Sequence, residues 1–529
     1  MARQAFLNPG TETGAQAEQK LDDNRFITYY EPQVNRFTRK VPTLLRMTDR
    51  REFIKTLFAG GAVVLTPGLV RSTELAALAR AAVRAPSPAD GPWELIMPGI
   101  LERIKPPIFP RRDFAVTRFG AVGDGKTDCT EALRNAITAC NKAGGGRVVV
   151  STGVFLTGAI HLQSNVNLHV SEGATLKFSA EPAKYTPLVF TRFEGTECMN
   201  FSPLIYAFEQ QNIAVTGSVV LDGSASVENW WAWNKRPAVG EAPARASIRK
   251  LLDFGERGAP VNERVFGPGH FLRPNFIQPY RCRNVLIEGV KIVNSPMWEV
   301  HPVLCTNVTV KDVKVVSHGP NNDGCDPESC SDVLITGCLF DTGDDCIAIK
   351  SGRNADGRRV NVPSQNIIIQ GCQMKDGHGG VTIGSEISGG VRNVFAEKCR
   401  MDSPNLDRVL RLKNNAMRGG VLEHIYMRDV EVGQVAEAIV AIDFYYEEAD
   451  QGNFIPVARN VEVRRVTSKK SKYALYLRGF KNAPITDVHI ADCSFQNVAK
   501  PNVVENARDI TLRNVSINGK IVEQISAGD

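Results

Sequence analysis

Asn284-Val285-Leu286-Ile287, Asn307-Val308-Thr309-Val310, Asp332-Val333-Leu334-Ile335 and Asn366-Ile367-Ile368-Ile369 are one phrase written four times: a small polar residue, then alternating apolar positions. It continues in Asn393-Val394-Phe395, His424-Ile425-Tyr426, Asn460-Val461-Glu462-Val463, Asp487-Val488-His489-Ile490 and Asp509-Ile510-Thr511-Leu512. Successive copies lie 23, 25, 34, 27, 31, 36, 27 and 22 residues apart. Short β-branched strands at such a period predict solenoid coils of two or three strands each, paired in parallel with the next coil about 4.8 Å away. A leucine-rich repeat would need a helical half in every unit, and a propeller an even spacing with a blade signature; neither is present. The expected fold is all-β, a single-stranded parallel β-helix over residues 111–529.

Working outward, Thr130 to Ala143 has helical spacing, with Leu133, Ile137 and Cys140 on one side. It predicts a helix capping the open end of the solenoid, as such stacks require. Gly144-Gly145-Gly146 follows that helix and precedes a strand from Arg147 to Val150, the reverse of the order a phosphate loop needs.

Composition agrees with a large core. The chain has 529 residues, 43% of them hydrophobic, which exceeds one ordinary compact core but suits a stack that grows along one axis. The net charge of +6 permits an anionic partner without demanding one. The densest basic run, Arg464, Arg465, Lys469, Lys470 and Lys472, reads as a solvated turn or a polyanion contact. No nucleic-acid-binding motif accompanies it. The twelve cysteines show no metal spacing. Cys338, Cys372, Cys399 and Cys493 recur at one place in the repeat and read as buried fillers. Disulfides Cys325–Cys330 and Cys338–Cys346 stay open on spacing alone.

Before the body lies an address. Asp49-Arg50-Arg51-Glu52-Phe53-Ile54-Lys55, followed by an apolar stretch from Thr56 to Val70, resembles a twin-arginine export signal. Ala77-Leu78-Ala79 offers a cleavage site. The expected organisation is an extension over 1–46, with Met47 as the true start, a signal over 47–81, a linker over 82–110 and the catalytic body after it. The product would work in the periplasm or outside the cell.

Two acid clusters carry the chemistry: Asn321-Asn322-Asp323-Gly324-Cys325-Asp326 and Asp341-Thr342-Gly343-Asp344-Asp345. Counted from the polar marker of each coil, Asp323 lies at 16, Asp345 at 13, His378 at 12 and Arg411 at 18. Four consecutive coils thus aim functional residues at one arc, which predicts a stripe on one face. Arg411 and Lys413 beside three acids suit an anionic sugar better than a metal, because they repel a cation and bind a carboxylate. No cofactor is expected.

Asn321-Asn322-Asp323, Gly343-Asp344-Asp345, Gly377-His378-Gly379 and Arg411-Leu412-Lys413 together resemble the four-motif signature of the polygalacturonases, glycoside hydrolase family 28. The resemblance runs from the segment of about Phe114 to Asp128, with the entry motif Phe119-Gly120-Ala121-x-Gly123-Asp124-Gly125, to the carboxyl end. Asn322 stands where the family usually has Thr, Leu412 where it has Ile, and the His378 segment is one residue longer. The resemblance implies a right-handed, pectin-lyase-like β-helix that hydrolyses α-1,4 galacturonosidic linkages with inversion. It makes Asp344 the general acid, has Asp323 and Asp345 hold and deprotonate the water, and has His378 tune Asp344. Arg411 and Lys413 would hold the substrate carboxylate, with Asn321 and Tyr446 in contact with the sugar.

The long interruptions Tyr185 to Glu194 and Asn229 to Tyr280 are expected to build the binding face. From them Arg192, Trp231 and Arg273 join the substrate-binding set, by charge and by stacking. The stretch Phe271 to Cys282 resembles the bacterial exo-acting branch, which implies release of single units from the non-reducing end. The expected partner is a polyanionic pectin oligosaccharide, met by a monomer that touches neither nucleic acid nor, after signal removal, membrane. Rival readings are a rhamnogalacturonan or xylogalacturonan hydrolase, a calcium-dependent pectate lyase and a non-enzymatic β-helical binder.

Overall fold

The structure, a computed structural model, describes residues 91–235 and 240–524. The expected extension over 1–46 and the export signal over 47–81 lie outside the described residues. From Asp113 onward the chain winds as a right-handed parallel β-helix, each repeat adding strands in register to those of the coil before. The phrase that opens each copy is a strand. Val285, Val308, Val333, Ile367, Val394, Ile425, Val461, Val488 and Ile510 pair in one unbroken ladder, all buried except the half-buried last. Two residues on, Ile287 through Val310, Ile335 and Ile369 repeat the pattern. A period of two puts both rows on the inner face, where they fill the axis.

The polar marker has a stricter job than a generic turn residue. Asn284, Asn307, Asp332, Asn366, Asn393, His424, Asn460, Asp487 and Asp509 all take left-handed φ, between 52° and 60°. Asn and Asp adopt that region at least cost among residues with a side chain. Their amides also bond from coil to coil: Asn284 Nδ2 donates to Asn212 at 2.8 Å, Asn307 to Asn284 at 2.8 Å, Asn366 to Asp332 at 3.0 Å and Asn393 to Asn366 at 3.1 Å. Asn393→Ala should therefore cost roughly 1–2 kcal/mol of backbone strain plus about 1 kcal/mol of hydrogen bonding. Asn393→Gly, which tolerates the φ, should lose less in urea denaturation. Equal losses would remove the conformational explanation.

The capping helix forms over Thr130–Lys142, with Leu133, Ala136, Ile137 and Cys140 buried. The strand after the glycines runs Gly146–Val150. All twelve cysteines are free and buried, so neither Cys325–Cys330 nor Cys338–Cys346 is a disulfide. Cys338, Cys372 and Cys399 do stack on successive coils. A second stack, Cys282, Cys305 and Cys330, is joined by backbone N–H to sulfur contacts of 3.4 Å. The basic run is paired in part: Arg465 bonds Asp429 and Lys472 bonds Glu437.

Where it is described, the stretch expected as a linker is a strap. Short helices Pro92–Leu95 and Met97–Arg103 lay Trp93, Met97, Ile100 and Ile104 on the outer face of the solenoid, against Ile368, Phe395 and Tyr426. Those three outward positions are apolar, which a solvent-facing strand would not need. Trp93 Nε1–H donates to Glu462 at 3.1 Å, Arg103 clasps Asp332, and Lys105 and Asn307 exchange backbone–amide hydrogen bonds.

The functional face belongs to a second sheet of six strands: Ile347–Ile349, Val381–Ile383, Arg408–Lys413, Ala438–Asp443, Tyr473–Arg478 and Val503–Glu505. Its ladder Ile349–Ile383–Leu412–Ile442 points inward. The next residue in each strand therefore faces out, and three of those residues are Lys350, Lys413 and Asp443.

Candidate active site

Asp323, Asp344 and Asp345 come together at the mouth of this face, each offering an oxygen within 4.8 Å of the others. Burial separates their characters. The Asp323 and Asp345 side chains are 4% and 1% exposed, while Asp344 is 20% exposed. Asp345 is clamped: Lys413 Nζ donates to Oδ2 at 2.7 Å, and Oδ1 accepts from Thr382 at 2.9 Å and Arg411 at 3.3 Å. Burial alone would raise its carboxyl, but Lys413 and then Arg411 outweigh that and hold it below the usual range. Asp323 is the opposite case. Burial, then the Asp344 charge, push its carboxyl well above the ordinary value, and Lys350 at 3.6 Å only partly offsets them. Its Oδ1 is buried and makes no protein hydrogen bond, so it can accept one from water.

Asp344 Oδ1 accepts from the Asp345 N–H at 2.9 Å and lies 3.0 Å from His378 Nδ1. That contact raises the His378 imidazole above its ordinary value, against the opposing effect of burial. The other Asp344 oxygen makes no hydrogen bond to the protein among the described residues. Arg411 and Lys413 sit 5.7 and 5.2 Å from the centroid of the Tyr446 ring, which lines the same cleft. With Lys350 beside Asp323, and Lys413 and Arg411 both on Asp345, the cluster is a poor divalent-cation site and a good one for a sugar acid.

The cleft encloses about 470 Å³. Residues 270–520 match the model of a family described as Glycosyl hydrolases family 28. The crystal structure of a hyperthermoactive exopolygalacturonase from Thermotoga maritima aligns at 46% identity and a TM-score of 0.78, over 80% of this chain and 96% of that one. This chain belongs to glycosyl hydrolase family 28. An exo-poly-alpha-D-galacturonosidase of Dickeya chrysanthemi is 25% identical over 77% of this chain and 74% of its own length. A family 28 exopolygalacturonase from Yersinia enterocolitica shares the fold, with a TM-score of 0.62 at 20% identity over 78% of this chain and 79% of its own.

The family 28 enzyme departs from sequence expectation in its loops. Arg192, expected at the substrate, does not line the cleft. Its side chain is fully buried, bonding Glu328 at 3.0 Å and lying 3.6 Å from Glu197. Trp231 packs on its own stem: Nε1–H donates to the Ser295 carbonyl at 2.8 Å and the indole covers Gly319. Arg273 is also buried, donating to the carbonyls of Pro296 and Pro320 and, at 2.7 Å, to Asn321 Oδ1. It positions the loop that brings Asn321 to the cleft, without facing the cleft itself. A loop residue that carries charge still packs on its stem when the loop is long enough to own a core, and this loop has one in Leu251, Phe266 and Leu272, packed with Met297 and Trp298 of the following coil.

Sequence reading missed Lys350, Arg353 and Glu386, all of which line the cleft. Lys350 bonds Glu386 at 3.2 Å and lies 4.3 Å from the centroid of the Trp298 ring. Glu386 would be raised by burial, but Lys350 and Arg353 depress it strongly. The signal for Lys350 was present: Ile347-Ala348-Ile349-Lys350 and Leu410-Arg411-Leu412-Lys413 are the same strand two coils apart, each ending in lysine.

Proposed function

We propose that this enzyme hydrolyses α-1,4 galacturonosidic linkages of homogalacturonan, removing single galacturonate units from the non-reducing end. The observation that carries this is the acid triad framed by Arg411, Lys413 and Tyr446 in a cleft walled at one side by inserted segments. The named activity of the 46% identical relative agrees with it. Those segments are the helix Ala244–Glu256, which contributes Arg245, Ile248 and Arg249, and the hairpin tip at Glu194.

In this reading Asp344 protonates the leaving oxygen through the oxygen that makes no protein hydrogen bond. Asp323, whose Oδ1 makes no protein hydrogen bond, takes the proton of the attacking water. Asp345 stays ionised and fixes the water, Arg411 and Lys413 neighbour the sugar carboxylate, and Arg273 sets Asn321 in place. Acid and base in inverting glycosidases usually stand about 6.5–9.5 Å apart. The nearest oxygens here are closer, so the argument for inversion is different: Asp344 serves as the acid, and Asp345, with both oxygens held by Lys413, Thr382 and Arg411, is poorly placed to attack the sugar carbon. Water does so, and the product anomer is inverted.

Time-resolved product analysis on polygalacturonate is the test. Galacturonate monomer alone, released with the inverted anomeric signal in early proton spectra, supports the reading. A ladder of oligomers would end the exo assignment, and faster release from rhamnogalacturonan would change the substrate.

His378 gives a pH prediction. Its folded value lies above the ordinary one of about 6.5, so the charged imidazole is favoured. That stabilisation is complete below about pH 6.5 and is lost as pH rises through the raised value. Activity that uses the charged ring should fall on the same alkaline limb, and His378→Asn should lower kcat and displace that limb. An unmoved limb in the pH–kcat profile would separate His378 from the chemistry.

Among the described residues, no helix is long and apolar enough to cross a membrane. Export by the twin-arginine route is part of the proposal, supported by Arg50-Arg51 and the apolar stretch behind them. Arg50→Lys with Arg51→Lys should leave activity in the cytoplasmic fraction; unchanged periplasmic activity would remove this route.

A further inference from the structure

One wall of the cleft is built from carboxylates, although the substrate is an acid. Its tip comes from a departure in the fold: Val189–Phe193 and Thr196–Asn200 pair antiparallel, unlike the parallel coils around them. The two tip residues, Glu194 and Gly195, both have positive φ, 42° and 80°. Such two-residue turns favour Asn-Gly or Gly-Gly. Glutamate in the left-handed region is unusual, so the turn itself does not explain the side chain at 194.

The tip is seated on Arg353. The Arg353 N–H donates to the Gly195 carbonyl at 3.0 Å, and a Cβ at Gly195 would lie 2.8 Å from Arg353. Arg353 Nη1 meets Glu194 at 3.1 Å and Glu386 at 3.9 Å, while Nη2 meets Glu447 at 3.5 Å. Lys350 continues the lattice, touching Glu386 at 3.2 Å and the water-side acid Asp323 at 3.6 Å. A single ammonium therefore separates the reacting end of the cleft from this wall. Arg353 and Lys350, the cations next to these acids, are spent on them, and what Glu194, Glu386 and Glu447 show the cleft is hydrogen-bond acceptors.

We propose that Glu194 reads the free 4-hydroxyl of the terminal galacturonate, with Glu386 behind it, so that recognition of the chain end is chemical as well as steric. This rests on the chain-end reading above. A terminal sugar has a 4-hydroxyl proton to donate. An internal sugar has none, because that oxygen is the next glycosidic bond, and the sugar beyond it would bring a carboxylate against three others. Interior segments are refused twice, by a missing donor and by like charge.

The test compares kcat/KM on trigalacturonate with that on trimers lacking the terminal 4-hydroxyl: the 4-deoxy trimer and the 4,5-unsaturated trimer made by a lyase. A hydrogen bond to a charged acceptor predicts that the native enzyme prefers trigalacturonate by about 10–10²-fold. Glu194→Ala should shrink that preference at least fivefold, by slowing the trimer with the hydroxyl and sparing those without it. Glu194→Gln, which keeps an acceptor but loses its charge, should fall between the native enzyme and Glu194→Ala. If Glu194→Ala slows all three trimers equally, or leaves the preference unchanged while the protein melts normally, the assignment is overturned and the tip is only structural. Product analysis of the native enzyme on polygalacturonate is run first; failure to release monomer there would remove the chain-end reading itself, a result distinct from an unchanged trimer ratio.

Discussion

Asp344→Asn lowers turnover on trigalacturonate by about 10²–10⁴-fold, the usual contribution of a positioned acid, while KM and the far-ultraviolet spectrum stay near native. The expectation follows from how the carboxyl is held. One Asp344 oxygen is fixed by the Asp345 N–H and faces His378, and the other is left to the leaving group. Asparagine keeps the shape and the first contact but has no acidic proton to give. The neighbouring acids do not substitute, since Asp345 is clamped by Lys413 and Asp323 is buried behind Lys350. Near-normal turnover of Asp344→Asn would withdraw the acid role from this residue.

Arg192→Leu is the second large effect, and it falls on stability. Arg192 bonds one Glu328 oxygen, and the other lies 2.8 Å from His301 Nε2. His301 Nδ1 lies 2.9 Å from both the Asn275 and Gln278 amide nitrogens, so Nδ1 accepts and the ring proton sits on Nε2, pointing at Glu328. Without Arg192 the Glu328 charge remains buried, and Glu197 loses one of its partners. Breaking a buried pair from one side costs about 3–5 kcal/mol. The midpoint of chemical denaturation should drop accordingly, and the surviving folded enzyme should keep its KM. A raised KM at unchanged stability would return Arg192 to the substrate.

The comparison of sequence with structure divides along a physical line. The solenoid was legible because inward packing forces a period of two and the left-handed turn forces Asn or Asp, so both leave a mark in every coil. The stripe was legible because the coils place Asp323, Asp345, His378 and Arg411 on one arc, and the structure does bring these four side chains to the same acids. Loop residues carry no such period. Arg192 and Arg273 have the charge of substrate ligands and the burial of core residues, and nothing in their neighbours along the chain tells the two apart. Glu194 was visible as an acid in a long interruption, but its seat on Arg353 joins residues 159 positions apart. The strap was misread as a linker because its partners are outward-facing strand positions, which a repeat normally leaves polar.

That strap also sets an order of events. Trp93 leaves the ribosome early, yet its acceptor Glu462 is made 369 residues later. At about 5–20 residues per second the indole waits roughly 20–70 s for its partner. Ile368, Phe395 and Tyr426, the apolar strip it covers, are themselves late products of synthesis. The two short helices of the strap are thus among the last elements to settle. A chain halted before Tyr426 would hold Trp93 and Ile100 without a surface to cover, giving quality-control factors a handle that vanishes only when the coils beneath are wound.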